Sequence, residues 1–199
     1  LFGADNRTSG KIFLGGREVR IRNPKDSVKN KIAFVTEDRK GEGLLLGTAV
    51  KVNIVMVALN KIKQRGLLNL GMENNAADRY VKELNIATPS IKQKIMFLSG
   101  GNQQKAVIAK WLFSDAEIFI LDEPTRGIDV GAKREIYTII NDLATQGKAI
   151  IVVSSDMEEI LGISDRIVVM HEGEVAGVVD KDSFSQKLIS EYAIGGKAL

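Results

Sequence analysis

The chain has 199 residues, 44% of them hydrophobic and 27% charged, and its 28 basic and 25 acidic side chains leave a formal charge of +3. This composition is typical of a globular domain, and because basic and acidic residues alternate rather than forming blocks, it argues against a nucleic-acid-binding surface. The chain lacks cysteine, which excludes disulfides and cysteine-based metal sites, and its apolar runs are far shorter than the ~20 residues of a membrane-spanning helix.

The first predicted elements are a helix end, a hairpin and a short helix. Leu1-Phe2-Gly3 is typical of the last turn of a helix that stops at its glycine. Residues 11–14 and 18–21, joined through Gly15-Gly16, predict a β-hairpin. Asn23-Pro24 predicts the start of a short helix, with the asparagine as its cap and proline at its first position.

A buried strand at 32–35 then gives way to a helical region between residues 41 and 97. There the apolar residues recur at helical spacing, which predicts a helical insertion or subdomain at approximately 42–98. The recurring residues are Val52, Val55, Leu59 and Ile62, followed by Ala77, Tyr80, Val81 and Leu84.

Helices and strands alternate after Leu98. The predicted order is a helix at 102–113, a strand at 117–121, a helix with its apolar face at 136–143, a strand at 149–153, a helix at 156–161, a hairpin of 166–170 and 174–179, and a closing helix at 184–193. Apolar strands separated by helices predict a parallel sheet covered on both faces. We therefore expect an α/β fold in a single domain spanning 1–199.

The turn Ser99-Gly100-Gly101 opens one of these helices and is a candidate phosphate-binding site. The first amides of a helix have no partner within the helix, and the helix dipole makes that end partly positive. The glycines would let a phosphate approach the backbone, and Ser99 could donate its hydroxyl. On its own the turn would more often be an ordinary cap and loop. The nucleotide interpretation is favoured by the continuation Asn-Gln-Gln-Lys and by the carboxylates that follow about twenty residues later.

Those carboxylates, Asp122 and Glu123, follow the apolar run Ile118–Leu121 directly. They should lie at the carboxyl edge of the sheet, where ligands bind in α/β proteins, and on an extended segment they would point to opposite sides. In a nucleotide site Asp122 would hold Mg²⁺ and Glu123 would orient the attacking water. The alternative, a pair that merely ends a strand in solvent, is disfavoured by the apolar residues before it and the Pro-Thr after it.

Motifs in this order resemble those of the ATP-binding-cassette (ABC) ATPases, and the resemblance covers nearly the whole chain. Leu98–Lys105 resembles their signature motif, Ile118–Glu123 their Walker B strand and Gly127-Ile128-Asp129 their D-loop. The exact residues of these motifs are similar to those of the second cassette of tandem ATPases in monosaccharide importers of the ribose and galactose kind. That likeness rests on Glu37–Lys40, Ser99–Lys105, Asp122–Lys133 and Ser154-Ser155.

The resemblance implies that two cassettes pack head to tail and bind ATP and Mg²⁺ between them. The signature residues, with Ser99, Gly100 and Gly101 at the γ-phosphate and Gln103 beside them, would complete a nucleotide site held mainly by the partner cassette. Asp122 as metal ligand and Glu123 as catalytic residue would serve the nucleotide of this cassette, and Asp129 would reach across the interface. Glu37 in the lid segment, as nucleotide and metal ligand, and Ser155 at the switch position would complete the site.

Three features depart from that pattern. The phosphate loop G-x-x-x-x-G-K-[ST] has no match, and Lys11, which follows Gly10 but precedes Ile12, does not supply it. We therefore expect a core truncated before the sheet is complete, with an isolated fragment that is inactive. Glu37 occupies a position that is glutamine in many cassettes and cannot donate a hydrogen bond when ionised, and Ser155 stands where histidine is usual.

The resemblance therefore predicts an ATPase that energises sugar import, peripheral to the cytoplasmic face of the membrane. Its expected partners are a second cassette in the same chain or a homodimer, transmembrane permease subunits and, indirectly, a periplasmic or extracellular sugar-binding protein. The alternative is a non-hydrolytic cassette that acts as an interaction and allosteric module. An ABC-type protein that acts on nucleic acid is disfavoured by the balanced charge.

Overall fold

A computed structural model describes residues 1–195 and divides the chain into two compact units, Leu1–Val153 and the part that begins at Ser154. The strands described are β1 (Ile12–Leu14), β2 (Arg17–Val19), β3 (Ile32–Val35), β4 (Lys63–Gln64), β5 (Leu67–Leu68), β6 (Ile118–Asp122), β7 (Ala149–Val153), β8 (Arg166–His171) and β9 (Glu174–Asp180). The helices are α1 (Pro24–Lys29), α2 (Val50–Val55), α3 (Leu70–Glu83), α4 (Gly100–Phe113), α5 (Val130–Thr145), α6 (Met157–Ile163) and α7 (Gln186–Ala193). Within 1–195, no helix is both long and apolar enough to span a membrane.

A three-stranded parallel sheet in the order β3-β6-β7 forms the centre of the first unit, which confirms the predicted parallel α/β arrangement. Val35 pairs with Leu121, and Asp122 pairs with Val153, so the three strands end at one edge. The segments that follow the strands therefore emerge side by side. The hairpin β1-β2 packs its apolar side chains against Ile32 and Ile120 of this sheet.

Helix α4 is the most enclosed helix of the first unit and packs against α2, α3, α5 and β3. Trp111 on this helix is only 6% exposed and meets the ring of Phe2 edge-on at 5.6 Å, which places it in the core. Burial extends to the polar side chains Gln103, Gln104 and Lys110. A helix that buries polar groups must supply them with hydrogen-bond partners, and those partners define much of the candidate site.

The region between β3 and α4 is less uniformly helical than its periodicity predicts. After α2 the chain continues as a 3₁₀ segment, Met56–Ile62, with a kink at Ala58, and then forms the small hairpin β4-β5. Arg65 and Gly66 make the hairpin turn with φ of 52° and 85°. Because glycine adopts positive φ without steric cost, Gly66 in the sequence was an indication of this turn.

The predicted helix turn at Leu1-Phe2-Gly3 is wrong, since these residues lie outside any helix. The glycine does adopt the positive φ, 83°, that a helix stop would use.

The second unit consists of α6, the antiparallel hairpin β8-β9 and α7. Ile167, Val169 and Ile189 form its small core. The only histidine of the chain, His171, ends β8, and its Nδ1 lies 2.8 Å from the carbonyl oxygen of Ala193. This places His171 in a structural contact within the unit.

Candidate functional site

The turn that opens α4 has the backbone of a cap without the usual capping bond. Ser99 is extended, with φ of −61° and ψ of 160°, and its side chain accepts no hydrogen bond from the first turn of the helix. Its hydroxyl instead accepts from the Nδ2 of Asn102 at 2.9 Å. By contrast Asn69 and Asp129 cap α3 and α5 with their side chains. The start of α4 therefore keeps its amides and the partly positive end of its dipole available for an anion.

A side chain at either glycine of the turn would crowd neighbouring residues, most severely at Gly101. A Cβ on Gly101 would lie 2.5 Å from the Cβ of Ala132 at the start of α5. A Cβ on Gly100 would lie 3.1 Å from both the carbonyl oxygen of Gly127 and the Nη2 of Arg39. Only glycine permits this approach, so the turn is held against the segment that leads into α5.

Asp129 ends that segment and caps α5, accepting a hydrogen bond of 3.0 Å from the amide of Ala132. Its exposed carboxylate lines an open cavity of about 310 Å³ beside the turn. Ser99, Gly101, Asn102, Lys105, Ala132 and Glu135 also line this cavity. The structure thus brings together the predicted residues of the signature turn and Asp129.

Gln103 lies on the inner side of the same turn. It is 4% exposed, and its Nε2 donates to the carbonyl oxygen of Leu98 at 3.2 Å. Its Oε1 accepts from the Nε of Arg39 at 3.4 Å. Gln103, which the sequence predicts to bind nucleotide, therefore links the residue before the turn to Arg39.

Asp122 and Glu123 lie at the carboxyl edge of the sheet, as predicted. Asp122 is half-buried, and this burial, followed by the charge of Glu123, raises the pKa of its carboxyl group. Glu123 is not extended, because its φ is +45°, and its amide donates to the carbonyl oxygen of Val153 at 2.8 Å. The alternation assumed from the sequence therefore ends at Asp122, and the chain turns at Glu123 with a backbone that costs roughly 1–2 kcal/mol.

Glu37 follows β3 at the same edge and forms an ion pair with Arg126. Arg126 lies in the turn after Glu123, so the pair joins the ends of the two neighbouring strands β3 and β6. Glu37 is predicted from the sequence to bind Mg²⁺, whereas its ion pair with Arg126 was not predicted. A basic residue directly after Asp-Glu-Pro-Thr was the only local indication of this partner.

The carboxylates of this edge fit a magnesium ion only in combination with other ligands. Within residues 1–195, no group of three or more histidine, cysteine, aspartate or glutamate side chains could hold a metal by itself. Mg²⁺ commonly binds proteins through one or two carboxylates and takes its remaining oxygens from water and substrate phosphates. Asp122 is suited to such a role, and Glu37 would contribute while sharing its charge with Arg126.

One half-buried and one buried cation hold the segment after Glu37 against α4. Arg39 is half-buried, which lowers the pKa of its guanidinium, and it donates from Nε to Gln103 and from Nη1 to Gln104, each at 3.4 Å. Lys110 is 5% exposed and donates to the carbonyl oxygen of Gly43 at 2.7 Å. Burial lowers the pKa of Lys110 to about 8.

Ser155, the predicted switch residue, belongs to the second unit and is exposed just before Asp156, the cap of α6. Its neighbour Ser154 accepts a hydrogen bond of 3.0 Å from the amide of Asp156. The role of Ser155 in nucleotide binding stays a prediction.

Sequence comparison shows the same family that the motifs suggest. The family described as ABC transporter matches residues 1–126. The ribose import ATP-binding protein RbsA of Bacillus subtilis (strain 168) is 47% identical over 197 residues, which are 99% of this chain and 40% of that protein. The xylose import ATP-binding protein XylG of Thermoanaerobacter pseudethanolicus is 47% identical over 198 residues, or 99% of this chain and 39% of that protein. The chain thus spans about two fifths of the length of these relatives.

Solved structures share the fold at lower identity. A nucleotide-free ATP-binding cassette from an ABC transporter superimposes with a TM-score of 0.78 at 17% identity, covering 98% of this chain and 80% of that one. A dimeric cassette in a post-hydrolysis state, bound to ADP and Pi, gives a TM-score of 0.70 at 22% identity, covering 90% and 77%.

Proposed function

The chain belongs to the ABC transporter family, and from this premise we propose that it is an ATP-binding cassette that hydrolyses ATP to ADP and phosphate to energise sugar import. The observation that carries the proposal is the common edge of β3 and β6, where Asp122 and Glu123 end one strand and Glu37, paired with Arg126 of the turn after Glu123, follows the other. Carboxylates at the carboxyl edge of a parallel sheet are placed for metal-nucleotide chemistry. The names of the sugar-import relatives support the assignment to monosaccharide transport.

In this proposal each residue of the edge has a separate task. Asp122 binds Mg²⁺, with Glu37 as a second ligand, and Glu123 orients the water that attacks the γ-phosphate. When bound, Mg²⁺ would neutralise charge on the phosphate oxygens. The backbone turns at Glu123, where φ is +45°, so the regular alternation of the strand ends there, and the proposal assigns the two neighbouring carboxylates to different groups.

The turn at Ser99–Gly101 serves a different nucleotide, one held mainly by a second cassette. The uncapped start of α4 would receive the γ-phosphate on its first amides, with the hydroxyl of Ser99 as a further donor. Asp129, at the mouth of the adjoining cavity, would contact the partner cassette. ATP bound in this way would hold two cassettes together.

The remaining features extend the proposal to the whole transporter. The chain is the second cassette of a longer subunit at the cytoplasmic face of the membrane, in which 42–98 form the helical subdomain. It acts with transmembrane permease subunits and, through them, with an external sugar-binding protein. Ser155 is the switch residue for the cassette's own nucleotide.

Substitution of Glu123 by glutamine in the complete gene product tests the hydrolytic role. A glutamine keeps the shape of the side chain but cannot act as a base, so we expect ATP to remain bound and turnover to fall at least about tenfold. Glu172→Gln is the matched control, because Glu172 is an exposed glutamate that also has a positive φ, 46°. Unchanged turnover in Glu123→Gln, or an equal loss in the control, would refute the role of Glu123.

A second candidate is a cassette that closes on ATP without hydrolysing it. The observations in its favour are the serine at the switch position and the arginine that already neutralises Glu37. In that case Ser99→Arg would abolish turnover by the transporter although Glu123→Gln leaves it nearly intact. The same pair of variants therefore separates the two candidates.

A further inference from the structure

We propose that Arg39 is a positioning residue of the signature turn, Ser99–Gly101, and that the positive charge it holds beside Gly100 strengthens binding of the γ-phosphate at that turn. The inference rests on the proposed function, because it takes the turn to be a phosphate site. It adds a residue of the lid segment to a site otherwise formed by the start of α4.

Arg39 lies directly beside the turn. A Cβ on Gly100 would come within 3.1 Å of its Nη2, so only backbone separates the guanidinium from the opposite side of the turn. The other guanidinium nitrogens donate to the buried amides Gln103 and Gln104 of the same helix. All three contacts lie within the first five residues of α4.

Within residues 1–195, the charge of Arg39 has no carboxylate to balance it. The ion pairs of other half-buried or buried cations include Lys51 with Glu73 and Lys105 with Glu135. The partners of Arg39 in this part of the chain are instead amide oxygens at the long distance of 3.4 Å, and none of its contacts there is a carboxylate. A partly desolvated cation of this kind is stabilised when an anion binds nearby.

Arg39 lies in the segment from Asp38 to Gly43, and hydrogen bonds hold both ends of this segment in place. Asp38 accepts from the amide of Gly41 at 2.9 Å, and Lys110 holds the carbonyl oxygen of Gly43 at 2.7 Å. The guanidinium is therefore held in place before any ligand arrives. A preorganised charge contributes more to binding than one that must be ordered on association.

The guanidinium of Arg39 would attract a γ-phosphate bound at the turn. The start of α4 already carries the positive end of its dipole, and a phosphate on its first amides would have the guanidinium on the far side of Gly100. Because the guanidinium is half-buried, the attraction is less screened than at a fully exposed site. The absence of a side chain at Gly100 keeps the two groups close.

The test compares ATP and ADP binding by the complete gene product, with EDTA present to prevent hydrolysis. Arg39→Gln removes the charge, and we expect it to raise the Kd for ATP about tenfold while the Kd for ADP, which lacks the γ-phosphate, stays within about twofold. Arg39→Lys retains the charge and should keep both constants within about threefold of the wild type. Lys40→Gln is the matched control, since it removes an exposed charge from the same turn and should change neither constant.

The outcomes separate this inference from the proposed function. If the wild-type gene product binds no ATP, the proposed function fails. If it binds ATP but Arg39→Gln weakens ATP and ADP equally, or Arg39→Lys loses as much as Arg39→Gln, then the hydrogen bonds to Gln103 and Gln104 matter and the charge does not, and the inference is overturned. Thermal melting checks folding of each variant, and Arg39→Met replaces Arg39→Gln if the latter does not fold.

Discussion

Gly101 approaches Ala132 so closely that a Cβ on the glycine would stand 2.5 Å from the Cβ of the alanine. This contact joins the signature turn at the start of α4 to the first turn of α5. Asp129 caps α5 immediately before it. The signature turn and Asp129 are therefore packed together. The proposed function assigns both to the contact with a second cassette.

The first prediction concerns this contact. Gly101→Ala should lower the free energy of unfolding by about 1–3 kcal/mol, because α4 and α5 must separate to admit the methyl group. The measurement is urea unfolding of the chain followed by circular dichroism. Gly162→Ala is the control, since Gly162 is also helical but a methyl group on it would meet nothing within 4 Å, and it should be neutral or stabilising by up to ~1 kcal/mol. Equal effects of the two substitutions would contradict the packing argument.

Ser99→Arg should remove ATP turnover by the complete gene product without unfolding it. Ser99 is exposed, so the fold can accommodate the larger side chain, but an arginine there would fill the space that the γ-phosphate needs. We expect turnover to fall at least about a hundredfold, the scale of losing one preorganised transition-state contact. Ser190→Arg, at an exposed helix position, should leave turnover unchanged. Normal turnover in Ser99→Arg would show that the turn does not face a nucleotide.

Asp122→Asn should separate metal binding from nucleotide binding. The substitution removes the charge that would hold Mg²⁺ but keeps the size of the side chain at the end of β6. We expect the complete gene product to bind ATP in EDTA as the wild type does and to lose the additional affinity that Mg²⁺ provides. Calorimetry with and without Mg²⁺ measures this difference. A Mg²⁺ effect of wild-type size in the variant would exclude Asp122 as a metal ligand.

Lys110 should make the stability of the chain depend on alkaline pH. Burial lowers its pKa in the folded chain to about 8, from 10.5 when exposed. Between these values the unfolded chain holds a proton that the folded chain has released, so the free energy of unfolding rises with pH, by ~3 kcal/mol in total. The rise begins near pH 8 and is complete above 10.5.

The measurement compares urea unfolding of the wild type and Lys110→Met across this pH range. The variant should lack the rise, whereas Lys40→Met, at an exposed lysine, should retain it. Parallel curves for the wild type and Lys110→Met would show that the ammonium group keeps an ordinary pKa in the folded chain.

Local patterns predicted the elements that continuous apolar runs define. The strands at 32–35 and 149–153 were predicted with the bounds that the structure shows, because polar residues flank each run. Helix α5 was recognised only by its apolar face at 136–143, although Asp129 is a capping residue that indicated its start at Val130. The hairpin β4-β5 was missed, since strands of two residues show no alternation.

In the candidate site, too, local motifs could be predicted from the sequence, whereas contacts between distant residues could not. Ser99-Gly100-Gly101 and Asp122-Glu123 are contiguous motifs, so their placement at a helix start and a strand end could be predicted. The pairing of Glu37 with Arg126 and the contacts of Arg39 with Gln103 and Gln104 join residues far apart in the chain. No local spacing encodes such pairs, because they depend on how the sheet and α4 pack.

At residue 123, stability of the fold and catalysis favour different amino acids. Its positive φ suits glycine or asparagine better than glutamate, so replacement by either would relieve the backbone and favour the folded state. The same replacement would remove the proposed catalytic carboxylate. A library selected only for heat resistance should therefore enrich inactive chains at residue 123, and the glutamate would persist only under selection for activity.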